Sequence, residues 1–217
     1  MKKITIVTGH YGSGKTNISV NLAIKLAEAG KKVTVVDLDI VNPYFRTADF
    51  GEMFENKGIE LVAPMYANSN LDIPAISFDL ERIASDDGYL IIDVGGDDAG
   101  AIALGRYTEA FKQFENDIDM LYVVNCYRYL TRTSDEALEL MYEIEAASKM
   151  KHTAIVNNSN LSHETTSETI DNSIGFAKEI AQKAGLPIKY TAVPYDISCK
   201  AENPMPIEIY VKKIWEQ

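Results

Sequence analysis

Apolar residues along the chain follow two alternating patterns. Short runs rich in β-branched residues occur at 4–8, 33–37, 60–63, 89–93, 120–125, 153–157 and 189–193. Between them the spacing is helical. In 16–29, Ile18, Leu22 and Leu26 recur every fourth residue, and 134–148 and 165–184 read the same way. Gly30 and Gly185 are suited to ending such helices. Near-continuous apolar strands alternating with helices predict an α/β fold of three layers. Its mostly parallel central sheet would have about seven strands, with helices on both faces. No repeat or long linker breaks the pattern, so residues 1–217 read as a single domain. The final stretch, PIEIYVKKIWEQ, places Ile207, Tyr210, Val211 and Ile214 on one face of a helix expected to pack on the sheet. Its polar face sets only Lys212 and Lys213 against Glu208 and Glu216, too weak a basic face for a membrane-surface helix.

Composition narrows the function. The net charge is −11, which argues against work on DNA phosphates. No apolar run approaches the roughly 20 residues needed to cross a bilayer, and nothing near Met1 resembles a signal peptide. Cys126 and Cys199 are too few for a disulfide framework. A cytoplasmic protein is expected, with neither DNA nor membrane as its partner.

On open parallel sheets, ligands bind where the strands end. The first such end reads Gly9-His10-Tyr11-Gly12-Ser13-Gly14-Lys15-Thr16, followed by Asn17 at the start of a helical pattern. This is the spacing of a phosphate-binding loop in its required setting between strand and helix. Glycines let successive N–H groups turn toward phosphate oxygens, and the helix N-terminus adds partial positive charge. Lys15 would meet the β- and γ-phosphates, and Thr16 would offer its hydroxyl to Mg²⁺. Two further strand ends are acidic. VVDLD carries Asp37 and Asp39, and LIIDVGGDD carries Asp93, Gly95, Gly96, Asp97 and Asp98. An Asp rigidly placed at a strand end beside the loop suits a metal site. The paired glycines would let backbone approach a γ-phosphate and rearrange when it leaves. For Asp97 or Asp98 alone, capping of a following helix is an equal alternative.

The stretch GSGKTNISVNLAIKLAEAGKKVTVVDLDI, together with IIDVGGD and TAVPYD, resembles the MinD/ParA and nitrogenase iron-protein class of P-loop ATPases. The resemblance is specific over residues 1–42 and follows the rest in outline. It implies a Mg²⁺-dependent ATP-binding protein, a hydrolase acting as a conformational switch. Lys15 and Thr16 would hold phosphates and Mg²⁺, and Asp39 would sit near the metal and orient the attacking water. Asp93 would act on the metal indirectly, through the groups that bind it, and Asp97 would be a second-switch residue. Asn157 would read the purine edge, with Pro194 in the adenine-contacting loop. A GTPase would be expected to read Asn-Lys-x-Asp where this chain has Asn157-Asn158-Ser159-Asn160, so ATP is expected over GTP. Relatives usually carry a lysine at the position of His10, one that reaches a dimer partner's phosphates. A neutral histidine does not replace that cation, so the expectation is either slow hydrolysis or another positive group in its place, and a homodimer does not follow from the resemblance. Arg46 is the first candidate, ahead of Arg106, Arg128 and Arg132. No iron–sulfur cluster is expected, because Gly100 stands where a ligating cysteine would be.

The remaining rim segments, YANSNLDIPA from Tyr66, NCYRYLTRTSDE from Asn125 and NNSNLSHETT from Asn157, are rich in hydrogen-bonding groups. They suit either an unidentified protein partner of a switch or a small-molecule substrate. The latter would make the chain a kinase or synthase related to dethiobiotin and cobyrinate synthases.

Overall fold

The computed structural model describes residues 1–39, 47–63 and 88–211. Arg46, the segment from Tyr66, and Ile214 with its two preceding lysines lie outside the described residues.

The architecture is α/β, as the apolar pattern predicts. Strands β1 (Ile4–Gly9), β2 (Lys32–Leu38), β3 (Ile59–Val62), β4 (Gly88–Val94), β5 (Ile118–Val124), β6 (Ala154–Asn157), β7 (Ile188–Pro194) and β8 (Pro204–Ile207) form one sheet. Its order is β3-β2-β4-β1-β5-β6-β7-β8, and every pairing is parallel. The helices are α1 (Lys15–Glu28), α2 (Gly51–Asn56), α3 (Asp98–Gly105), α4 (Thr108–Phe111), α5 (Ser134–Ser148) and α6 (Ser167–Ala184). Buried apolar side chains form cores on both faces. One joins α1 to β1, β2 and β5–β8, and the others lie under α3, α5 and α6.

Local chemistry explains the helix ends. Thr133 and Thr166 each accept a hydrogen bond from the amide three residues on, and Glu136 and Thr169 reciprocate, closing capping boxes at α5 and α6. Gly185, at φ 68°, ends α6 in the left-handed conformation that glycine adopts without a Cβ penalty. Helix α1 differs: Gly14 precedes it with no side-chain cap and no acid in its first turn. Its leading amides are therefore left for something other than the protein's own side chains.

The eighth strand corrects the expected C-terminal helix. Ile207 ends β8, and residues 208–211 are not helical. In this stretch Met205 and Ile207 are buried while Pro204 and Pro206 are exposed, a period of two rather than of three to four. Packing on the sheet holds nonetheless, since Met205, Ile207 and Tyr210 join the α1-side core. Prolines are tolerated because β8 is an edge strand.

Register fixes the functional edge. Asp93 on β4 lies level with Val7 of β1 on one side and Asp37 of β2 on the other. Thus the first strand's phosphate loop and both acidic strand ends converge at one place.

Candidate functional site: a phosphate loop and its acidic flank

The loop between β1 and α1 turns on three glycines with positive φ, Gly9, Gly12 and Gly14. A Cβ on Gly14 would run into the Asn158 amide nitrogen, so the position is closed to larger residues both conformationally and sterically. The loop is braced internally: Ser13 N–H donates to the His10 carbonyl at 3.1 Å, and Lys15 Nζ donates to the same oxygen at 3.2 Å.

Lys15 is buried against Gly96, where an added Cβ would stand 2.7 Å from its ammonium and equally close to the Tyr11 amide nitrogen. Burial pulls the Lys15 pKa down, and the carboxylates of Asp93, Asp39 and Asp97 pull it back up. The Gly95-Gly96 pair thus abuts the phosphate loop, the placement expected of backbone that approaches a γ-phosphate.

Asp93 is the hub of the acidic flank. Its Oδ1 accepts from Ser19 at 3.1 Å, and its Oδ2 accepts from Thr16 at 2.8 Å and from Thr47 at 2.5 Å. Burial raises its pKa, opposed by those three hydroxyls and Lys15. Asp37 is buried beside it and accepts from the Asp39 amide and the Ala48 amide, both at 2.9 Å. Burial first, and the Asp93 charge second, push Asp37 up to about 7. Asp39 stands next to Gly95, with its Oδ1 3.2 Å from where a Cβ there would lie. Asp97 caps α3, accepting from Gly100 N–H at 3.0 Å, so the capping alternative describes its contact.

The other expected residues divide. Thr16 and the loop glycines are in place. His10 has its Nδ1 buried without a partner, and burial lowers its pKa, so the ring is neutral at pH 7. Asn17 faces away from the loop. Its side chain donates to the Glu208 carbonyl at 2.9 Å and accepts from Tyr210 N–H at 2.8 Å, stitching the segment after β8 onto α1. Asn157 is fully buried and donates to Ser173 at 2.8 Å, with its Oδ1 taking the Ser159 amide. Pro194 is buried at the end of β7, in register with Ile207.

Two residues stand nearer the loop than sequence reasoning placed them. Asn158 donates to the Ser13 carbonyl at 2.7 Å, leaving its buried Oδ1 without a partner. Arg128, from the loop after β5, lays its side chain over Gly12, with Nε 3.5 Å from where a Cβ would be. It makes no ion pair among the described residues. Arg132 instead sits over the Tyr129 ring at 5.5 Å, and Arg106 is exposed beyond α3. The Arg128 loop is held in shape by Asn125, whose carbonyl takes Arg128 N–H and Thr131 Oγ1 and whose side chain takes Tyr127 N–H.

A nucleotide–metal group can be tested against these residues. Among the described residues, four buried side-chain polar atoms lack a partner, and three of them, His10 Nδ1, Ser13 Oγ and Asn158 Oδ1, surround this loop. No group of three or more His, Cys, Asp or Glu side chains among the described residues could hold a metal ion. The Thr16 hydroxyl beside Asp93 offers oxygen, the donor that magnesium takes in small number together with phosphate and water. The residues present fit the group.

A parallel sheet with a glycine-turned loop, a buried lysine and an acid-lined strand end defines a P-loop nucleotide-binding fold. The chain belongs to the CobQ/CobB/MinD/ParA nucleotide binding domain family, which matches residues 4–188. It is 44% identical over 69 residues to the septum site-determining protein MinD of Helicobacter pylori, 31% of this chain and 25% of that protein. It is 34% identical over 117 residues to an iron–sulfur cluster carrier protein of Methanocaldococcus jannaschii, 54% of this chain and 36% of that one. The matches therefore span about a quarter to a third of these relatives' lengths. The cell division protein FtsY of Thermotoga maritima shares the fold, with a TM-score of 0.59 and 20% identity over 96% of this chain and 66% of that chain. Among the described residues no helix is long and apolar enough to cross a membrane.

Proposed function

We propose that this protein binds Mg²⁺–ATP, hydrolyses it slowly, and uses the difference between its nucleotide states as a switch. The observation that carries the reading is the ring of unpartnered buried atoms around a braced phosphate loop, led by Asn158 Oδ1.

Loop amides and the uncapped start of α1 would hold the phosphates, with Lys15 against the terminal two. Thr16 would hold magnesium, with Asp93 orienting its hydroxyl from behind, and the metal would supply charge neutralisation at the phosphoryl group. Asp39, one residue beyond β2, would orient the attacking water. Because the Asn158 amide nitrogen is committed to Ser13, its oxygen remains as an acceptor. It suits the exocyclic amino group of adenine better than the carbonyl that guanine presents on the same edge. In this arrangement Asn158, rather than Asn157, reads the base. Counting from Asn158, the fourth position is Leu161, not the aspartate that would hold guanine. His10 is neutral, so the extra positive charge would come from Arg128, which already rests on the loop. No iron–sulfur role is proposed, because Gly100 stands where the family's ligating cysteine would be, and its Cβ position lies 2.6 Å from the Gly95 carbonyl oxygen.

The switch component rests on the second acidic strand end. Gly95 and Gly96 touch Asp39, Lys15 and Tyr11, and the next residue, Asp97, holds the start of α3 by one cap bond. A γ-phosphate pressing on Gly96 would bear on that cap. The test is phosphate release from Mg²⁺–ATP with no metabolite added, for wild type and Asp39→Ala. Slow turnover by wild type and unchanged binding without turnover by the variant are expected. Inertness until a small molecule is supplied would favour a kinase or synthase, and no heat on titrating Mg²⁺–ATP would overturn the reading altogether.

A further inference from the structure

Thr47 opens the short 3-10 turn Thr47–Phe50 that precedes α2, and no motif marks it. It is 0% exposed, and its hydroxyl donates to Asp93 Oδ2, the same oxygen that takes the Thr16 hydroxyl. The next residue, Ala48, gives its amide to Asp37, so two adjacent buried carboxylates fix the start of this turn.

We propose that Thr47 is a second hydroxyl ligand of the magnesium ion, beside Thr16, with Asp93 gripping both hydroxyls from behind. The inference rests on reading this edge as a magnesium–nucleotide site and adds a ligand to it. A threonine hydroxyl has one proton and two lone pairs. Thr16 and Thr47 both direct their protons at Asp93 Oδ2, so each keeps its lone pairs for an acceptor of electron density. An octahedral Mg²⁺ holds oxygens at about 2.1 Å, which sets neighbouring ligands roughly 3 Å apart and opposite ones roughly 4 Å apart. Two hydroxyls each within one hydrogen bond of a common oxygen can meet that spacing. Asp93, held by Ser19 on its other oxygen, then acts as the outer carboxylate that orients both ligands and draws on their protons. Ligation gives Thr47 a role beyond filling space. Loss of the metal would remove one of the contacts that anchor the start of the turn, coupling the metal state to the backbone that leads into α2.

The test titrates metal into protein already holding a fluorescent, non-hydrolysable ATP analogue. Affinity for the analogue in EDTA serves as the control for folding and for the nucleotide site. Thr47→Ser keeps the hydroxyl and is expected to match wild type. Thr47→Val is expected to raise the half-saturating Mg²⁺ concentration by about tenfold or more while leaving affinity in EDTA unchanged. Thr47→Cys offers a thiol in the same place. It is expected to increase the preference for Cd²⁺ over Mg²⁺ by at least about tenfold relative to wild type, because soft sulfur selects the softer ion. A residue that only tethers the turn would show neither effect. Unchanged Mg²⁺ affinity in Thr47→Val, or an unchanged Cd²⁺ preference in Thr47→Cys, would overturn the assignment, and the cysteine variant decides it should the valine variant not fold. If wild type fails to bind the analogue at all, the nucleotide reading falls first and this one with it.

Discussion

Gly14 and Asn158 make a contact whose energy can be worked out before it is measured. Gly14 sits at φ 88°, where a side chain costs about 1–2 kcal/mol, and its Cβ would overlap the Asn158 amide nitrogen. Forcing a methyl into a packed site adds about 1–3 kcal/mol, so Gly14→Ala is expected to destabilise the nucleotide-free protein by roughly 2–5 kcal/mol. Asn158→Ala alone leaves the Ser13 carbonyl unpaired, at about 1–3 kcal/mol. In the double variant the obstructing amide is gone, so the Gly14 substitution adds only its backbone strain to the unpaired Ser13 carbonyl. The two effects should therefore fall short of additivity by about 1–3 kcal/mol. Gly30 supplies an internal reference, since it has φ 74° with nothing within 4 Å of its Cβ position. Gly30→Ala should cost about what Gly14→Ala costs in the Asn158→Ala background, roughly 1–2 kcal/mol. Urea unfolding at 25 °C without nucleotide measures all four proteins and the reference. In a chain of this size each kcal/mol moves the melting temperature by about 2–4 °C, so thermal melts give a second readout. Additivity within about 0.5 kcal/mol would refute the contact, and with it the claim that Asn158 supports the phosphate loop.

Three further outcomes are expected. Asp37 has its pKa raised to about 7, so its contribution favours the fold fully below about pH 4 and is lost as pH rises through 7. That loss is on the order of 4 kcal/mol, and Asp37→Asn should flatten this part of the pH–stability curve of the nucleotide-free protein, measured by urea unfolding from pH 4 to 8. Glu145 shows the opposite sign. Burial favours its protonated form, but hydrogen bonds from His152 and Lys151 hold it down to about 2. Its stabilisation is full above about pH 4.5 and lost toward pH 2, and Glu145→Gln should cost on the order of 2 kcal/mol at neutral pH in the same assay. Arg128→Gln should weaken Mg²⁺–ATP binding by about tenfold at low salt and by less at high salt, read by calorimetry, because an exposed cation acting on phosphate is screened.

Much of this was legible in the chain. The seven apolar runs became β1–β7 because strands buried on both faces must be apolar almost throughout. The phosphate loop and Asp93 were legible because their chemistry needs fixed spacings at strand ends. Other features were not. β8 is four residues long and carries two prolines, and the helical spacing of Ile207, Tyr210 and Val211 takes in only its last residue, so nothing in that spacing announces a strand. Asn157 and Asn158 are adjacent identical residues, and only the strand's period of two decides which one turns toward Ser13. Asn17 falls in the phosphate-loop neighbourhood by position, yet its direction on α1 sends it to Glu208 and Tyr210. Thr47 and Arg128 reach the site through tertiary folding, with no local pattern to announce them.

The parallel pairing of β8 has a bearing on assembly. Thr191 N–H donates to the Asn203 carbonyl at 2.8 Å, so residues 203, 205 and 207 aim their peptide groups at β7. The alternate residues, Pro204 and Pro206, aim theirs outward, where neither has a proton to give. This margin of the sheet is therefore stripped of the donors that would recruit a foreign strand, so copies of the molecule cannot zip together along it. Self-association by strand addition would have to use something other than the β8 margin.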